Sequence, residues 1–426
     1  MPEIDFIGTQ LAAGDSRSTA RRWRDRGILA AALVAIFATF LVGLTIESAN
    51  LLVVYMAVVT GAVILLGRAG GVDEKFRGLV ARDRAFTYVM IGVLALSYPL
   101  VLSGDAYLIH LGALAGIFVI MALGLNITLG FAGLLDVGFA VYFAAGAYTS
   151  AQLAVLYDLP FWIGLPLGGL SAALFGFLIA WPALRVQGHY LAMVTLGYGL
   201  IMNILHRNLK FLTNGTDGVL NIPAPSIGSY DFLKSINIFG YQLPFQTNYY
   251  YLTLVLIGIT IFVSYRLQNS NIGRCWEAIR EDEIAGKCFG VNLTRLKVLA
   301  FSTGAFFGGV GGATFAHMIG FIHPDNFILL TSITILAMVL IGGMGNVWGV
   351  VIGAVLLTMI PERLRDFENL RMLLFGGAMA LIMIYRPQGL FPGVRRRREV
   401  EAGRMDELIE KSGKATSHAR PVSLDG

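Results

Sequence analysis

Long apolar runs recur along this 426-residue chain, and they constrain its fold more than any other feature. A helix needs about 20 apolar residues to cross a bilayer core. Runs of that order lie at 27–46, 51–67, 86–103, 108–127, 161–184, 249–265 and 298–319. They do not alternate in hydrophobicity, as the strands of a membrane β-barrel would. The sequence therefore predicts an all-α polytopic membrane protein with about 10–12 transmembrane helices.

Basic residues indicate which loops face the cytoplasm, since lysine and arginine are retained on that side of a membrane. The arginine-rich segment 1–26 predicts a cytoplasmic N-terminus, and the arginines at 395–398 predict a cytoplasmic C-terminus. We expect four regions: a cytoplasmic tail (1–26), accessory transmembrane helices with a basic cytoplasmic loop (27–104), a core (105–392) and a cytoplasmic tail (393–426). The core contains an outer loop (206–248) and a cytoplasmic loop (269–297).

Glycines at helical spacing predict close contacts between helices. The chain has 51 glycines, and small residues let transmembrane helices approach closely. The helix-packing candidates fall into two sets at four-residue spacing: Gly304, Gly308 and Gly312, and then Gly345, Gly349 and Gly353. A surface that slides during a working cycle is the alternative interpretation. The segment 342–349 reads either as a tight turn between two spans or as a break in one long helix.

The segment 123–138 interrupts an apolar run with repeated glycines. Irregular backbone at membrane depth is tolerated only where protein or a water-filled cavity surrounds it, and discontinuous helices often form binding sites. A plain kink is the alternative. We expect Asn126 to bond backbone groups that the break frees, and Asp136 either to contact a solute or to cap the next helix. The candidate pathway residues are Asn126, Gly130, Gly133, Asp136 and Tyr142.

Motifs of catalysis and nucleotide binding are absent from the sequence. Because there is no GxSxG and no GxxxxGK[ST], we expect no enzyme activity, no bound cofactor and no P-loop, so any ATP must be used by a partner. Cys275 and Cys288 lack the spacing of a metal site. Polar residues expected to form interhelical hydrogen bonds are His110, His189, Asn203 and His317. No relay of acids and histidines crosses the apolar runs, which disfavours an ion-coupled secondary transporter.

The most charged stretch of the core, RCWEAIREDEIAGKCFG at 274–290, lies between two apolar runs. As a helix it would carry Trp276 and Ile279 on one face and charged residues on another, ending at Gly290. It is either a solvated loop helix or a lever that docks in a groove of a soluble partner. The residues expected at that partner contact are Trp276, Glu277, Ile279, Arg280, Glu281, Asp282, Glu283 and Gly290.

Together with the residues that follow it, this stretch resembles the cytoplasmic coupling loop of LivM-type permease subunits of branched-chain amino-acid ABC importers. The chain also resembles further motifs of that family. They lie at 123–148 (LGLNITLGFAGLLDVGFAVYFAAGAY), 184–197 (LRVQGHYLAMVTLG), 213–219 (TNGTDGV), 340–345 (LIGGMG) and 386–391 (RPQGLF). The resemblance covers roughly 105–392. Several motifs in the same order are far more specific than any one of them alone.

The resemblance implies a subunit that translocates leucine, isoleucine or valine across a bacterial inner membrane. Its partners would be a second, unlike permease, two cytoplasmic ATPases that hold ATP and Mg, and a periplasmic binding protein that docks near 206–248. No nucleic acid is expected. His189, Leu200 and Val350 depart from the family pattern. They leave open the alternative of an importer for urea, short amides or another small solute.

Overall fold

The computed structural model describes part of the chain: residues 4–46, 55, 83–102, 105–183, 186, 189–228, 230–238, 241–281, 292–363 and the single positions 376, 377, 380 and 389. The chain divides into two compact units. The first unit comprises Met1–Ile109, Asn237–Pro244 and Arg363–Asp366, and the second comprises His110–Ile236, Phe245–Glu362 and Phe367–Gly426. The expected apolar run at 51–67 lies almost entirely outside the described residues, and the tail at 393–426 lies wholly outside them.

Two helices form most of the described part of the first unit. Helix α1 covers Ile4–Thr45 and α2 covers Arg84–Val101. An ion pair joins them, because Nε of Arg26 lies 3.1 Å from Oδ2 of Asp83. The Arg26 guanidinium also lies over the ring of Phe86, 5.6 Å from its centre. This pairing sets the N-terminal ends of the two apolar segments beside each other.

Eight long helices carry the rest of the described chain, and apolar composition explains each one. They are α3 (Ala106–Leu125), α4 (Ala140–Tyr157), α5 (Phe161–Ala183), α6 (His189–Asn208), α8 (Gln246–Gln268), α10 (Leu293–Ile319), α11 (Leu329–Gly342) and α12 (Val347–Arg363). Helix α9 (Asn271–Glu281) is short and amphipathic. Asn292 caps α10 by accepting a hydrogen bond from the Arg295 backbone N–H at 3.1 Å.

The segment between α6 and α8 holds the short elements. A single helical turn, α7 (Lys210–Thr213), precedes a 3₁₀ turn at Gly215–Asp217. Four short strands follow: β1 (Ser226–Ile227), β2 (Tyr230–Asp231), β3 (Ile236–Ile238) and β4 (Tyr241–Leu243). β1 and β2 pair antiparallel, with Ser226 opposite Asp231, and β3 pairs with β4. An isolated bridge joins Val219 to Ile322 after α10 and closes this end of the second unit.

The core of the second unit forms where α10 packs against α4 and α5. Glycines allow this packing. A Cβ on Gly312 would lie 2.1 Å from the Phe143 carbonyl oxygen, and a Cβ on Gly304 would lie 2.8 Å from the Gly124 carbonyl oxygen. At Gly308 a Cβ would lie 3.0 Å from Cβ of Tyr142. The Gly304, Gly308 and Gly312 stripe therefore lies at close helix contacts, all within this chain.

The second glycine set does not lie on one helix, which corrects the sequence-based expectation. α11 ends at Gly342 and α12 begins at Val347, so 342–349 contains a tight turn between two helices. Gly345 lies in that turn with a φ of 82°. Glycine is favoured there because this conformation strains other residues. Gly349 and Gly353 pack against α11: the Gly349 carbonyl oxygen would lie 2.5 Å from a Cβ on Gly342, and a Cβ on Gly353 would lie 2.6 Å from the Met338 carbonyl oxygen.

Five helical segments among the described residues are long and apolar enough to cross a membrane: Trp23–Thr45, Ala106–Phe131, Phe161–Pro182, Gln246–Gln268 and Leu293–Ile319. Three shorter apolar helices cover Ala85–Val101, Leu329–Gly342 and Val347–Glu362. The predicted all-α polytopic class is thereby confirmed. The strands are short pieces confined to one loop, and the described spans are helices.

Candidate functional site

The glycine-rich segment that follows α3 breaks the helix. The backbone passes into a buried π-helical turn at Asn126–Phe131 and then runs irregularly until α4 begins at Ala140. Gly133 has a φ of 72°, a conformation that favours glycine. Its Cβ position would lie 2.6 Å from Cγ of Arg280, so glycine is also needed for space. The predicted irregular backbone is thus present: its π-helical turn is buried, whereas Gly133 is exposed.

Asn126 bonds a different backbone group from the one expected. Its Oδ1 atom accepts a hydrogen bond from the Gly345 backbone N–H at 2.8 Å. The bonded group belongs to the turn between α11 and α12, 219 residues along the chain, and not to the broken helix itself. The tertiary fold brings this turn close, since a Cβ on Gly130 would lie 2.7 Å from the Gly345 nitrogen. Nδ2 of Asn126 is buried and has no hydrogen-bond partner.

Arg280 of α9 reaches the break. Its Nη1 atom donates a hydrogen bond to the Gly130 carbonyl oxygen. Gln268, the last residue of α8, donates from Nε2 to the Gly345 carbonyl oxygen at 3.1 Å. We call this group the break junction; it consists of Asn126, Gly130, Gln268, Arg280 and Gly345. The sequence indicated no role for Gln268, because only the fold brings it to the turn.

Helix α9 has the predicted amphipathic character, but its apolar face is used within the chain. Trp276 is fully buried, and its indole N–H donates to the Leu296 carbonyl oxygen at 2.9 Å. Ile279 is buried beside it. The prediction that these two residues contact a partner is therefore wrong: they anchor α9 to the start of α10. Arg274, Ala278, Arg280 and Glu281 are exposed and Glu277 is half-buried, whereas the expected partner residues Asp282, Glu283 and Gly290 lie outside the described residues.

Asp136 lies in the irregular segment and is buried. Its Oδ1 atom accepts a hydrogen bond from the Gly138 N–H at 3.0 Å. Asp136 does not form the expected helix cap, because Phe139 occupies the capping position before α4 and its side chain makes no capping hydrogen bond. Two hydroxyls missed by the sequence interpretation hold the segment in place. Thr195 accepts from the Val137 N–H at 3.1 Å, and Ser332 accepts from the Ala140 N–H at 2.8 Å.

The remaining carboxylate oxygen of Asp136, Oδ2, is buried without a hydrogen-bond partner. The hydroxyl of Tyr142, one turn into α4, is also buried without a partner. The two groups interact with each other, electrostatically and as a side-chain contact between the hydroxyl and the carboxylate, without the geometry of a normal hydrogen bond. Since buried polar atoms are nearly always hydrogen-bonded, a carboxylate and a hydroxyl that face only each other form a candidate polar site.

His317 and Asn203 form the predicted bonds between segments. The ring of His317 contacts the Ser150 hydroxyl at 2.9 Å and the Pro223 carbonyl oxygen at 2.7 Å. Asn203 donates to the carbonyl oxygens of Pro324 and Phe327. The side chain of His189 lies outside the described part. Across the described ranges, no three His, Cys, Asp or Glu side chains are grouped to hold a metal ion.

Comparison with known proteins identifies the class of this chain. Residues 107–383 match the family described as "Branched-chain amino acid transport system / permease component". The chain is 39% identical over 338 residues to the high-affinity branched-chain amino acid transport system permease protein LivM of Salmonella typhimurium, covering 76% of this chain and 79% of that protein. The Escherichia coli protein of the same name gives the same identity and coverage.

A more distant likeness connects the chain to a second type of permease. It is 25% identical over 253 residues to the permease protein LivH of the Salmonella typhimurium branched-chain system, covering 57% of this chain and 80% of that protein. No solved structure matches. The family match and the LivM identities both extend over well more than half of the chain. It is a member of the family of permease components of branched-chain amino acid transport systems.

Proposed function

We propose that this chain is one of two unlike permease subunits of an ATP-driven bacterial importer for leucine, isoleucine and valine. The 39% identity to two proteins named as high-affinity branched-chain permeases supports the substrate class. The likeness to LivH supports a second, related permease as partner. Two cytoplasmic ATPases, which hold ATP and Mg, and a periplasmic binding protein complete the assembly. The chain itself carries out translocation without catalysis.

One observation supports this mechanism above the others: α9 bonds directly to the broken helix. The α9 surface that includes Arg274, Ala278 and Glu281 is exposed and suits a groove on an ATPase. Its other side is anchored by Trp276. A displacement of α9 by the ATPase would therefore pull on the Gly130 carbonyl through Arg280. The break would open or close in step with ATP binding.

The opposite end of the second unit suits the binding protein. Helix α8 has 23 residues, so it separates the loop before it from α9 by about 34 Å. That loop exposes apolar side chains, among them Phe211 (84% exposed) and Leu233 (58% exposed). Exposed apolar side chains of this size are typical of docking surfaces. We infer that this loop faces the periplasm and that both termini and α9 face the cytoplasm.

Uptake measurements test the substrate. Cells that lack this gene alone, and the same cells with the gene restored, are supplied with radiolabelled leucine and, separately, with radiolabelled urea. We expect leucine uptake to be lost on deletion and recovered on restoration, while urea uptake stays constant. Loss of urea uptake with normal leucine uptake would replace the substrate and keep the importer architecture.

Cross-linking tests the partner of α9. In a background with Cys275→Ser and Cys288→Ser, Ala278→Cys should cross-link to the ATPase subunit, because Ala278 is exposed on α9. Leu220→Cys is the matched control, since Leu220 is exposed in the loop before α8. Cross-linking of the ATPase to position 220 instead of 278 would reverse the proposed orientation.

A further inference from the structure

Oδ2 of Asp136 and the Tyr142 hydroxyl are buried side by side, and neither makes a hydrogen bond of normal geometry within the described residues. Asp136 is 1% exposed and Tyr142 is 0% exposed. Burying a charged group without a cation costs free energy, so a buried carboxylate is a candidate binding group. Among the ion pairs of the described residues, none includes Asp136. The carboxylate oxygen and the hydroxyl therefore face each other with no described cation paired to Asp136, and the hydroxyl oxygen keeps its capacity to accept.

The neighbouring contacts hold this pair rigidly. The Gly138 N–H fixes one oxygen of Asp136 and leaves Oδ2 as the open acceptor. The backbone around it is held from α6, because a Cβ on Gly138 would lie 2.4 Å from the Thr195 carbonyl oxygen. The ring of Tyr142 packs edge-on against Phe139 at 5.4 Å between ring centres. The carboxylate and hydroxyl therefore lie beside the Phe139 ring, within the break that α9 contacts through Arg280.

Resting on the proposed function, we infer that Oδ2 of Asp136 and the Tyr142 hydroxyl bind the α-ammonium group of the translocated amino acid. An ammonium group has three N–H donors and a positive charge, which match a carboxylate oxygen and a hydroxyl oxygen. The aromatic ring of Phe139 supplies apolar surface for a branched side chain. Urea and short neutral amides lack the charge that the carboxylate selects.

The test uses the complete importer reconstituted in proteoliposomes, with leucine-loaded binding protein in excess. Asp136→Asn keeps the size of the side chain and removes its charge, and Tyr142→Phe removes only the orphan hydroxyl. Hydrogen bonds to charged groups correspond to about a tenfold effect or more, so we expect leucine transported per ATP hydrolysed to fall about tenfold in Asp136→Asn. ATP hydrolysis stimulated by the binding protein should persist.

Thermal stability separates binding from a structural role. Tyr142→Phe removes a buried hydroxyl that makes no hydrogen bond of normal geometry, so the melting temperature of the importer should stay close to that of the unaltered importer while leucine transport falls. This second variant keeps the inference testable even if Asp136→Asn fails to assemble. Tyr148→Phe is the matched control on α4, because its hydroxyl is also buried without a partner, six residues further along the helix. It should transport normally.

Two probes test the ammonium group itself. Millimolar leucinamide has the ammonium group and no carboxylate, whereas isocaproate has the carboxylate and no ammonium group. We expect leucinamide, and not isocaproate, to raise the melting temperature of the permease–ATPase complex, and Asp136→Asn to abolish the rise. An equal rise with isocaproate, no rise with leucinamide, or a transport loss in Tyr148→Phe equal to that in Tyr142→Phe overturns the inference.

The inference and the proposed function fail in different ways. If the unaltered importer does not transport leucine, the proposed substrate is wrong and the inference fails with it. If the unaltered importer transports leucine and both Asp136→Asn and Tyr142→Phe match it, the inference alone is wrong. In that case Asp136 serves only to hold the Gly138 N–H, and the pathway lies elsewhere.

Discussion

Arg280 and Gly130 are 150 residues apart in the chain, and the Arg280 guanidinium donates a hydrogen bond to the Gly130 carbonyl oxygen. This contact joins the short surface helix α9 to the π-helical turn that ends the first helix of the core. The same turn bonds Gly345 through Asn126, and Gly345 in turn accepts from Gln268. A movement of α9 therefore acts on the break directly, with no intervening chain of side-chain packing.

Arg280→Ala should uncouple transport from ATP hydrolysis. The substitution removes the donor to the Gly130 carbonyl, and hydrogen bonds from charged groups contribute about 1.5–3 kcal/mol. We expect leucine transported per ATP hydrolysed to fall about tenfold or more, measured in proteoliposomes. Arg274→Ala is the control, since Arg274 is exposed on the same helix and bonds Asn271 within it. Equal losses in both variants would assign the effect to ATPase docking alone.

Gly345→Ala should destabilise the protein by more than backbone strain alone. A left-handed conformation costs a non-glycine residue about 1–2 kcal/mol. In addition, a Cβ at this position would lie 3.2 Å from the Gly130 carbonyl oxygen. Gly228→Ala is the control. Gly228 also has a left-handed backbone, with a φ of 60°, but nothing lies within 4 Å of its Cβ position. Melting temperatures of the two purified variants check this, and an equal decrease would contradict a role for the break junction.

Gly312→Ala should separate two packed helices. Its Cβ would lie 2.1 Å from the Phe143 carbonyl oxygen, and backbone cannot give way as a flexible side chain can. We expect a loss of folding stability of about 1–3 kcal/mol, seen as a lower melting temperature and reduced amounts in the membrane. Gly258→Ala is the control, because nothing lies within 4 Å of its Cβ position within α8. That variant should be level or more stable, since alanine favours helix by about 1 kcal/mol.

His317→Ala should destabilise the end of the second unit that faces away from α9. The substitution leaves the buried Ser150 hydroxyl without the histidine partner it has at 2.9 Å. Each such orphan costs about 1–3 kcal/mol. A double-mutant cycle with Ser150→Ala, read by the free energy of unfolding in detergent, should show a coupling of about 1 kcal/mol. Strictly additive losses would mean that the ring acts only by filling space.

The sequence by itself determined the class of fold. The thickness of the bilayer sets the length of each apolar run, and the membrane also governs where lysine and arginine occur in the loops. It also determined the amphipathic α9 and the broken helix, since both are local patterns in consecutive residues. It could assign the Gly304, Gly308 and Gly312 stripe to packing for the same reason: helical spacing is a local property.

Only the tertiary structure decided which of these pieces meet. Arg280, Gly130 and Gly345 belonged to three separate predictions, for partner docking, pathway and packing. The fold unites them through main-chain carbonyl and N–H groups. Backbone groups are the same in every residue, so no side-chain pattern marks which of them will be bonded. The apolar face of α9 was misassigned to a partner for a related reason: hydrophobicity favours burial against any apolar surface, and here that surface belongs to the chain itself.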